Sequence, residues 1–456
     1  MKNLSYLLLF CLVSTLIVVT KPLHAQSPSP SANPSTSSPV NSPISPKKLK
    51  KKRRVLRPWE NTWNTNLWFK AGGAELQKTP FASFDSPFAV PKQNVGLLLQ
   101  ENFRTQKTDT QWVFRPSLEV KQETYSLYPL TGTKAKNKFD LRLNELYMQK
   151  DLNSAWIMAA GLQNYQWGPA ELMSPSNPIY HLSLESQDPT YQARGHTLLR
   201  FNYSPDGDWS FVSMFEFARN EENEFIAEQD FVPKGLIKAE YRLPTPTDYL
   251  GLSIGNEQMH DLFLGQYGNF TFDESFSIYF DMKQTQISRR FLPLEEFGQI
   301  PRFNLFNFHN SVYLLTLIGV RIEMEDYDFR WEEINNELGF SEREMEQIAI
   351  SMVPPNPLAE QNQSRFLNSG RELPSRNYSY LSIRFPSLID WLDSSLSVRL
   401  LQAHRDKTGQ ATLYWEGTWR DNWTFFMSAM GNYGKKNGET TFLYKGKINT
   451  GIKYSW

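Results

Sequence analysis

FLYKGKINTGIKYSW, residues 442–456, reads at intervals of two. Phe442, Tyr444, Gly446, Ile448, Thr450, Ile452, Tyr454 and Trp456 fall on one side, and Lys445, Lys447, Asn449, Gly451, Lys453 and Ser455 on the other. A period of two places these sets on opposite faces of an extended strand. One face suits hydrocarbon and the other suits water. Turning the three lysines into lipid would cost roughly 2–4 kcal/mol each near a bilayer midplane, so a one-residue slip is strongly disfavoured.

The pattern repeats upstream. Trp423, Phe425, Met427 and Ala429 alternate with Thr424, Phe426, Ser428 and Met430. Phe276, Ile278, Phe280 and Met282 oppose Ser277, Tyr279, Asp281 and Lys283, while Ile237, Ala239 and Tyr241 oppose Lys238, Glu240 and Arg242. Ile318, Val320 and Ile322 oppose Arg321 and Glu323. Soluble sandwiches alternate too, so spacing decides. About 18 such segments run from residue 62 to 456, with 16 as the alternative count. The connections sort by length. Short ones include Ser204–Gly207, Phe272–Glu274 and Arg420–Asn422, and long ones are 72–92, 122–136, 165–194, 219–233, 285–308 and 334–376. Two connections, near 257–260 and 405–408, are short where a long one is due. A sandwich has no reason to sort loops this way, whereas a membrane barrel has short turns at one end and long loops at the other. An even strand count leaves both ends of the barrel segment on the short-turn side.

Composition agrees. The 456 residues carry 48 basic and 48 acidic side chains, so no bulk field points to nucleic acid. Aromatics reach 14% against a mean hydropathy of −0.50. The longest later apolar run, VYLLTLIGV at 312–320, is half of the ~18 residues a spanning helix needs. Only helices and closed barrels satisfy every backbone group in hydrocarbon, which leaves the barrel. The expected organisation is a secretory leader at 1–25, a Pro/Ser-rich and polybasic linker at 26–58, and a barrel at 59–456. The leader reading rests on Lys2, the apolar stretch Tyr6–Thr20 and Ala25 before the cut, although Leu23 is large for its place; the alternative is an uncleaved anchor helix. QSPSPSANPSTSSPVNSPISP, 26–46, cannot bury a core and reads as a disordered periplasmic tether. The basic run Lys47–Arg54 is either a solvated charge run or a contact for anionic headgroups or cell-wall polymer. The only cysteine, Cys11, lies in the leader, so the mature chain is expected to have no disulfide and no thiolate metal site.

Trp456, with Tyr454, Ile452 and Ile448 at alternate places before it, resembles the C-terminal signal of bacterial outer-membrane barrels, where phenylalanine is the commoner last residue. That resemblance implies a Gram-negative-type outer membrane, contact with its lipid and lipopolysaccharide, and insertion by the barrel-assembly machinery. Residues 144–179, NELYMQKDLNSAWIMAAGLQNYQWGPAELMSPSNPI, are similar to a segment of porin-like barrels: Glu145, Tyr147 and Gln149, then Gly161 and Gln163, a Trp167-Gly168 pair and an Asn177-Pro178 turn. Related Trp-Gly segments occur in export, porin and capsule-attachment barrels.

Independently of resemblance, Gly168 and Pro169 break a ladder and Ser174-Pro175 and Asn177-Pro178 are turn signals. A strand is expected to stop at Trp167 and give way to a long loop that folds into the lumen and narrows it; otherwise Trp167 is an interfacial girdle residue. Expected lumen-lining residues are Lys238, Glu240, Arg242, Asp281, Lys283, Arg321, Glu323, Lys445, Lys447 and Lys453. Ser341 and Glu344 have capping-box spacing, which predicts a helix inside 334–376. Five histidines follow the leader, and none sits in a catalytic or metal-binding motif, so no enzyme, metal or cofactor is expected. Two functions fit: a passive channel for small polar solutes, or a plugged barrel that binds surface polysaccharide or another envelope protein through outer-loop aromatics such as Phe291, Phe297, Phe303, Phe306 and Phe308.

Overall fold

The computed structural model describes residues 60–77, 89–127, 132–179, 194–218, 234–245, 247–258, 261–294, 302–352, 356–368, 373–435, 439–441 and 444–456. The expected leader and tether, the basic run Lys47–Arg54, His181, His260 and Phe297 lie outside them.

Eighteen strands follow one another in chain order: β1 Glu60–Leu76, β2 Gln93–Lys107, β3 Thr110–Ser126, β4 Thr133–Asp151, β5 Trp156–Gln163, β6 His196–Tyr203, β7 Trp209–Ala218, β8 Lys234–Arg242, β9 Tyr249–Gln258, β10 Asp261–Thr271, β11 Phe276–Leu294, β12 Arg302–Glu323, β13 Asp328–Asn336, β14 Asn377–Phe385, β15 Ser394–Ala403, β16 Thr408–Trp419, β17 Trp423–Tyr433 and β18 Tyr444–Ser455. Each pairs antiparallel with the next, and β18 returns to β1 over Leu76↔Tyr444 to Asn66↔Ser455. The sheet therefore closes with no free edge, as a hydrocarbon environment requires. The seam is completed by reciprocal backbone bonds of 3.1 Å between Thr65 and Trp456.

Alternation sets which side chains meet lipid. On β18, Ile448 and Ile452 are exposed while Lys447, Asn449 and Lys453 turn inward and are half-buried. On β8, Ile237 is exposed and Lys238 buried; on β11 and β12, Tyr279, Asp281 and Leu317 are buried while Ile318 faces out. The short connections after β9 and β15 lie at one end, while most other short connections and both barrel termini share the opposite end. Three of these turns use one device: Asn153, Asp206 and Asp273 each accept the backbone N–H groups two and three residues on, at 2.7–3.2 Å. Trp156, Tyr203, Trp209, Tyr241, Trp423, Tyr454 and Trp456 cluster at that end in ring contacts of 4.4–6.2 Å, the belt expected where hydrocarbon meets headgroups.

Several boundaries differ from the sequence reading. β3 and β4 pair as far as Ser126↔Thr133, so most of the expected loop 122–136 is strand. β11 and β12 pair to Leu294↔Arg302, which moves Phe291, Phe303, Phe306 and Phe308 from a loop into a long hairpin. Backbone pairing continues past the bilayer because strand hydrogen bonds do not need lipid, and the polar residues there hid it. The expected helix in 334–376 forms as α1, Glu342–Ser351, followed by α2, Ala359–Asn368. Its capping box is complete: Ser341 N–H donates to Glu344 Oε2 at 2.7 Å, and Glu344 N–H to Ser341 Oγ at 3.3 Å.

Candidate functional site

The connection after β5 turns into the barrel. β5 ends at Gln163, four residues before the expected stop at Trp167, because its pairing with β6 runs out at Gln163↔His196. Residues 164–179 then cross the inner wall. Trp167 and Ile179 are buried among inward side chains of β6 to β10, including Leu198, Val212, Leu236 and Tyr267. Leu172 is buried on the far side against Tyr279, Leu317, Ile334 and Tyr380 of β11 to β14. Trp167 is thus a lumen residue and not a girdle residue.

Three carboxylates pin this loop. Glu332 of β13, fully buried, accepts the backbone N–H of Glu171 at 2.6 Å and of Leu172 at 3.1 Å, and the Tyr279 hydroxyl at 2.8 Å. Asp281 of β11, also fully buried, accepts the Ser174 hydroxyl at 2.6 Å and the Ser176 N–H at 2.7 Å. Glu171 carries the loop's own charge to the opposite wall, where Tyr380 and Ser382 hydroxyls donate to it at 3.0 and 3.1 Å and Arg330 and Arg399 lie at 3.4 and 3.5 Å. Ser253 donates to the Ser176 carbonyl at 2.9 Å. Buried polar groups are costly without partners, and here the loop supplies partners to both buried wall carboxylates.

Gly168 has φ of +96°, and a Cβ there would lie 2.4 Å from both Asp281 Oδ2 and Ser174 Oγ, so only glycine lets the chain approach this closely. Pro169 follows it into the crossing. Ser174–Asn177 is closed by a 3.0 Å backbone bond, and Asn177 Oδ1 accepts the Ile179 N–H at 3.2 Å across Pro178.

The other expected lumen residues divide. Lys238, 5% exposed, donates to Glu240 at 2.9 Å beneath the ring of Trp167 at 5.8 Å, with Arg242 next along the same face. Arg321 makes a two-pronged contact with Asp328 at 3.1 and 2.9 Å. Lys283, Lys447 and Lys453 are half-buried on the inner face, Lys453 with its ammonium 5.3 Å from the Trp68 ring. Glu323 and Lys445 sit at strand ends, 56% and 57% exposed, and mark the mouths instead of the waist. Along β1, β3 and β4 a ladder runs from Lys70 to Glu119, Lys121, Glu123 and Lys138, with Arg115–Glu145 at 2.9 Å beside it. The cations Arg115, Lys138 and Arg142 are 41%, 37% and 48% exposed, whereas the carboxylates Glu119, Glu123 and Glu145 are mostly buried beneath them. The infolded loop occupies the side of β6 to β15, and this ion-pair ladder lines β1, β3 and β4.

No protein-family model matches the chain, and no curated protein matches its sequence. Among solved structures, it is similar to Acinetobacter baumannii OccAB4 (TM-score 0.48, 9% identity, 87% of this chain and 98% of that one) and to Pseudomonas aeruginosa OpdK with vanillate (0.49, 10%, 87% and 99%). It is also similar to Escherichia coli Wzi, described as an outer-membrane protein of group 1 capsule assembly and a carbohydrate-binding β-barrel (0.48, 11%, 86% and 83%). None of these likenesses transfers a residue role. The assignment rests on the strand ladder itself: a closed antiparallel barrel with an apolar outer face, an aromatic belt and sorted connections is an outer-membrane barrel.

Glu171, Glu332, Arg330 and Arg399 were not singled out from sequence. The signal was available, since Arg330 and Glu332 alternate with Phe329 and Trp331 as inward positions, but nothing local says that a loop 160 residues away supplies their partners.

Proposed function

We propose that the chain is a porin-like channel for passive diffusion of small polar solutes, with residues 164–179 narrowing its lumen. The observation that carries the reading is the division of the inner wall: one side sealed against the loop, the other lined by a ladder of ion pairs whose cations Arg115, Lys138 and Arg142 reach solvent. Such a wall stays hydrated and gives weak ion selectivity. An 18-strand barrel is wide enough for an aqueous path beside one infolded segment. Purified chain in a planar bilayer should pass a steady current, and liposomes should swell with small sugars and stop at a size limit. Deleting 169–190 should raise both the conductance and that limit; unchanged conductance removes the narrowing role.

The same packing supports a second reading, a plugged barrel that binds surface polysaccharide. Silence in the bilayer together with retention of the protein on immobilised polysaccharide decides for that reading. In either case the proposed partners are outer-membrane lipid, lipopolysaccharide and the assembly machinery, which would read Ile452, Tyr454 and Trp456 at the C-terminal end of β18. Periplasmic wall contact through Lys47–Arg54 belongs to the same proposal. Neither reading requires a cofactor or a metal.

A further inference from the structure

Three polar side chains converge on the outside of the barrel, where alternation calls for apolar ones. Ser379 of β14 lies opposite Glu333 of β13 in the ladder, and His404 follows the last residue of β15. Their neighbours Glu332, Tyr378 and Tyr380 point inward and are buried, so Glu333 and Ser379 face out. The Ser379 hydroxyl donates to Glu333 Oε1 at 2.5 Å, and His404 Nε2 lies 2.7 Å from the same Ser379 oxygen. Glu333 Oε2 is 3.7 Å from that ring nitrogen, and the Trp331 indole N–H holds Glu333 Oε1 at 3.1 Å. Glu333 and His404 line a shallow cleft together with Thr316, Ile318, Asn335 and Asn377, and Ser379 lies between the two.

Position along the strands gives the cleft its surroundings. All three residues lie within three places of the long-loop ends of β13, β14 and β15. Just below them the wall is apolar and exposed, with Ile318, Trp331 and Leu400. The cleft therefore sits where hydrocarbon gives way to headgroups, at the depth of a lipid's ester linkages. Ionisable groups on a lipid-facing wall are costly in proportion to depth, from about 0–1 kcal/mol near the interface upward. A hydroxyl within 2.6–3.2 Å of an imidazole nitrogen meets the geometric requirement for an activated nucleophile.

We propose that Ser379, His404 and Glu333 form an acyl-ester hydrolysis site on the outer wall, taking an ester-linked acyl chain of a lipid in the adjoining leaflet. The hydroxyl is flanked by two acceptors, so its proton turns from Glu333 to His404 Nε2 when the imidazole carries its own proton on Nδ1. Ser379 Oγ then bonds to the ester carbonyl carbon as that proton passes to Nε2. The bond from carbonyl carbon to alkoxy oxygen breaks, and the imidazolium returns the proton to the departing alcohol. Water from the headgroup layer then attacks the acyl-serine carbonyl carbon and gives its proton to His404; the bond from that carbon to Ser379 Oγ breaks, Oγ takes the proton back from the imidazolium, and the fatty acid is released. Glu333 is a positioning residue: it holds the hydroxyl in line with the imidazole nitrogen. The carboxylate and the hydroxyl share one side of the ring, which leaves Nδ1 free to hold the proton.

The test uses the full chain refolded into phospholipid vesicles and treated with a fluorophosphonate probe, which bonds only to an activated serine. Wild-type barrel should label on Ser379, and vesicles of ester-linked lipid should release fatty acid where ether-linked vesicles do not. Ser379→Ala should abolish both, and His404→Asn should slow labelling by about 100-fold. Glu333→Gln should slow it, and Glu333→Asp should restore part of the rate, which a merely structural contact would not do. Heat-modifiable electrophoretic mobility confirms the folded barrel in each variant, and bilayer conductance should be unchanged by Ser379→Ala because that side chain faces away from the lumen. Absence of labelling in folded wild type, or labelling that survives Ser379→Ala, overturns the proposal without touching the channel reading.

Discussion

Glu332→Gln tests how the infolded loop is held. Glu332 presents one oxygen to Glu171 N–H and the Tyr279 hydroxyl, and the other to Leu172 N–H at 3.1 Å. The least costly orientation of glutamine keeps the first oxygen and sets an amide NH2 against Leu172 N–H, leaving two donors face to face. A buried donor without an acceptor costs about 1–3 kcal/mol, and the upper part of that range applies because the site is fully buried. At 1.36 kcal/mol per factor of ten, 2–3 kcal/mol multiplies the unseated population of the loop by about 30 to 150. A reporter reads this directly. The chain's only cysteine is Cys11, so replacing it and introducing Ala170→Cys gives one thiol on the loop, packed against the buried cluster around Leu172 and Tyr380. When opening is faster than modification, the maleimide labelling rate is proportional to the unseated fraction. Labelling in the Glu332→Gln background should therefore rise about 30-fold or more, with no change in the folded mobility of the barrel. A rate within twofold of the parent would refute the assignment of Glu332 as the anchor.

Gly168→Ala should act on the same equilibrium through the backbone. Its φ of +96° costs an alanine about 1–2 kcal/mol, and the added methyl strikes Asp281, so labelling at position 170 should rise by tenfold or more. Ile448→Lys on the lipid face should lower barrel stability by about 2–4 kcal/mol in a urea titration from vesicles, while Lys447→Gln one residue away should change it by less than 1 kcal/mol. At the long-loop end, burial pushes the Glu439 carboxyl above its ordinary range, against hydrogen bonds from Ser375 and Tyr378 and the charge of Arg405, while neighbouring Asp406 adds to the rise. The folded state then holds a proton that the unfolded chain releases. This contribution is fully present below the ordinary carboxylate pKa and fades as pH climbs through the raised value. Hydrogen exchange at 373–378 should accordingly quicken between acid and neutral pH in wild type and flatten in Glu439→Gln.

The barrel was legible because its code is local. Each strand declares itself by alternation over eight or more residues, and the sorting of short and long connections orders the strands without any knowledge of contacts. Strand ends were less legible. Beyond the bilayer, Lys134, Lys136 and Lys138 or Arg289 and Arg290 need not alternate with apolar partners, so the pattern stops before the pairing does. The infolded loop was legible as a break, through Gly168-Pro169 and Asn177-Pro178, but its docking side was not. Ser379, Glu333 and His404 were invisible for another reason. They come from two strands and the turn after a third and meet only once the ladder register is fixed, and no spacing in the sequence encodes that register.

One signal in the strands could have located the docking side. A water-filled lumen should be lined by polar residues at every inward position, and β1, β3, β4 and β18 largely obey, with Lys70, Glu119, Lys138, Asn449 and Lys453. β6, β7, β8, β10 and β12 do not. Their inward positions include Leu198, Val212, Met214, Leu236, Phe263 and Leu317, and all are buried. Exposed to water, each of the larger ones would forfeit about 1.5–3 kcal/mol relative to burial. The barrel does not need them for closure, because backbone pairing supplies that. Their presence therefore requires something apolar inside the barrel on that side, and the loop brings Trp167, Leu172 and Ile179 to meet them. The violation of alternation is thus itself directional: it says which strands face the loop and leaves β1, β3 and β4, with their ion-pair ladder, outside that contact. Replacing Leu198 and Leu236 together with serine should unseat the loop from the β6–β8 side while leaving the barrel closed. Labelling at position 170 would rise without loss of heat-modifiable mobility, and loss of the folded barrel would show that these side chains stabilise the wall directly.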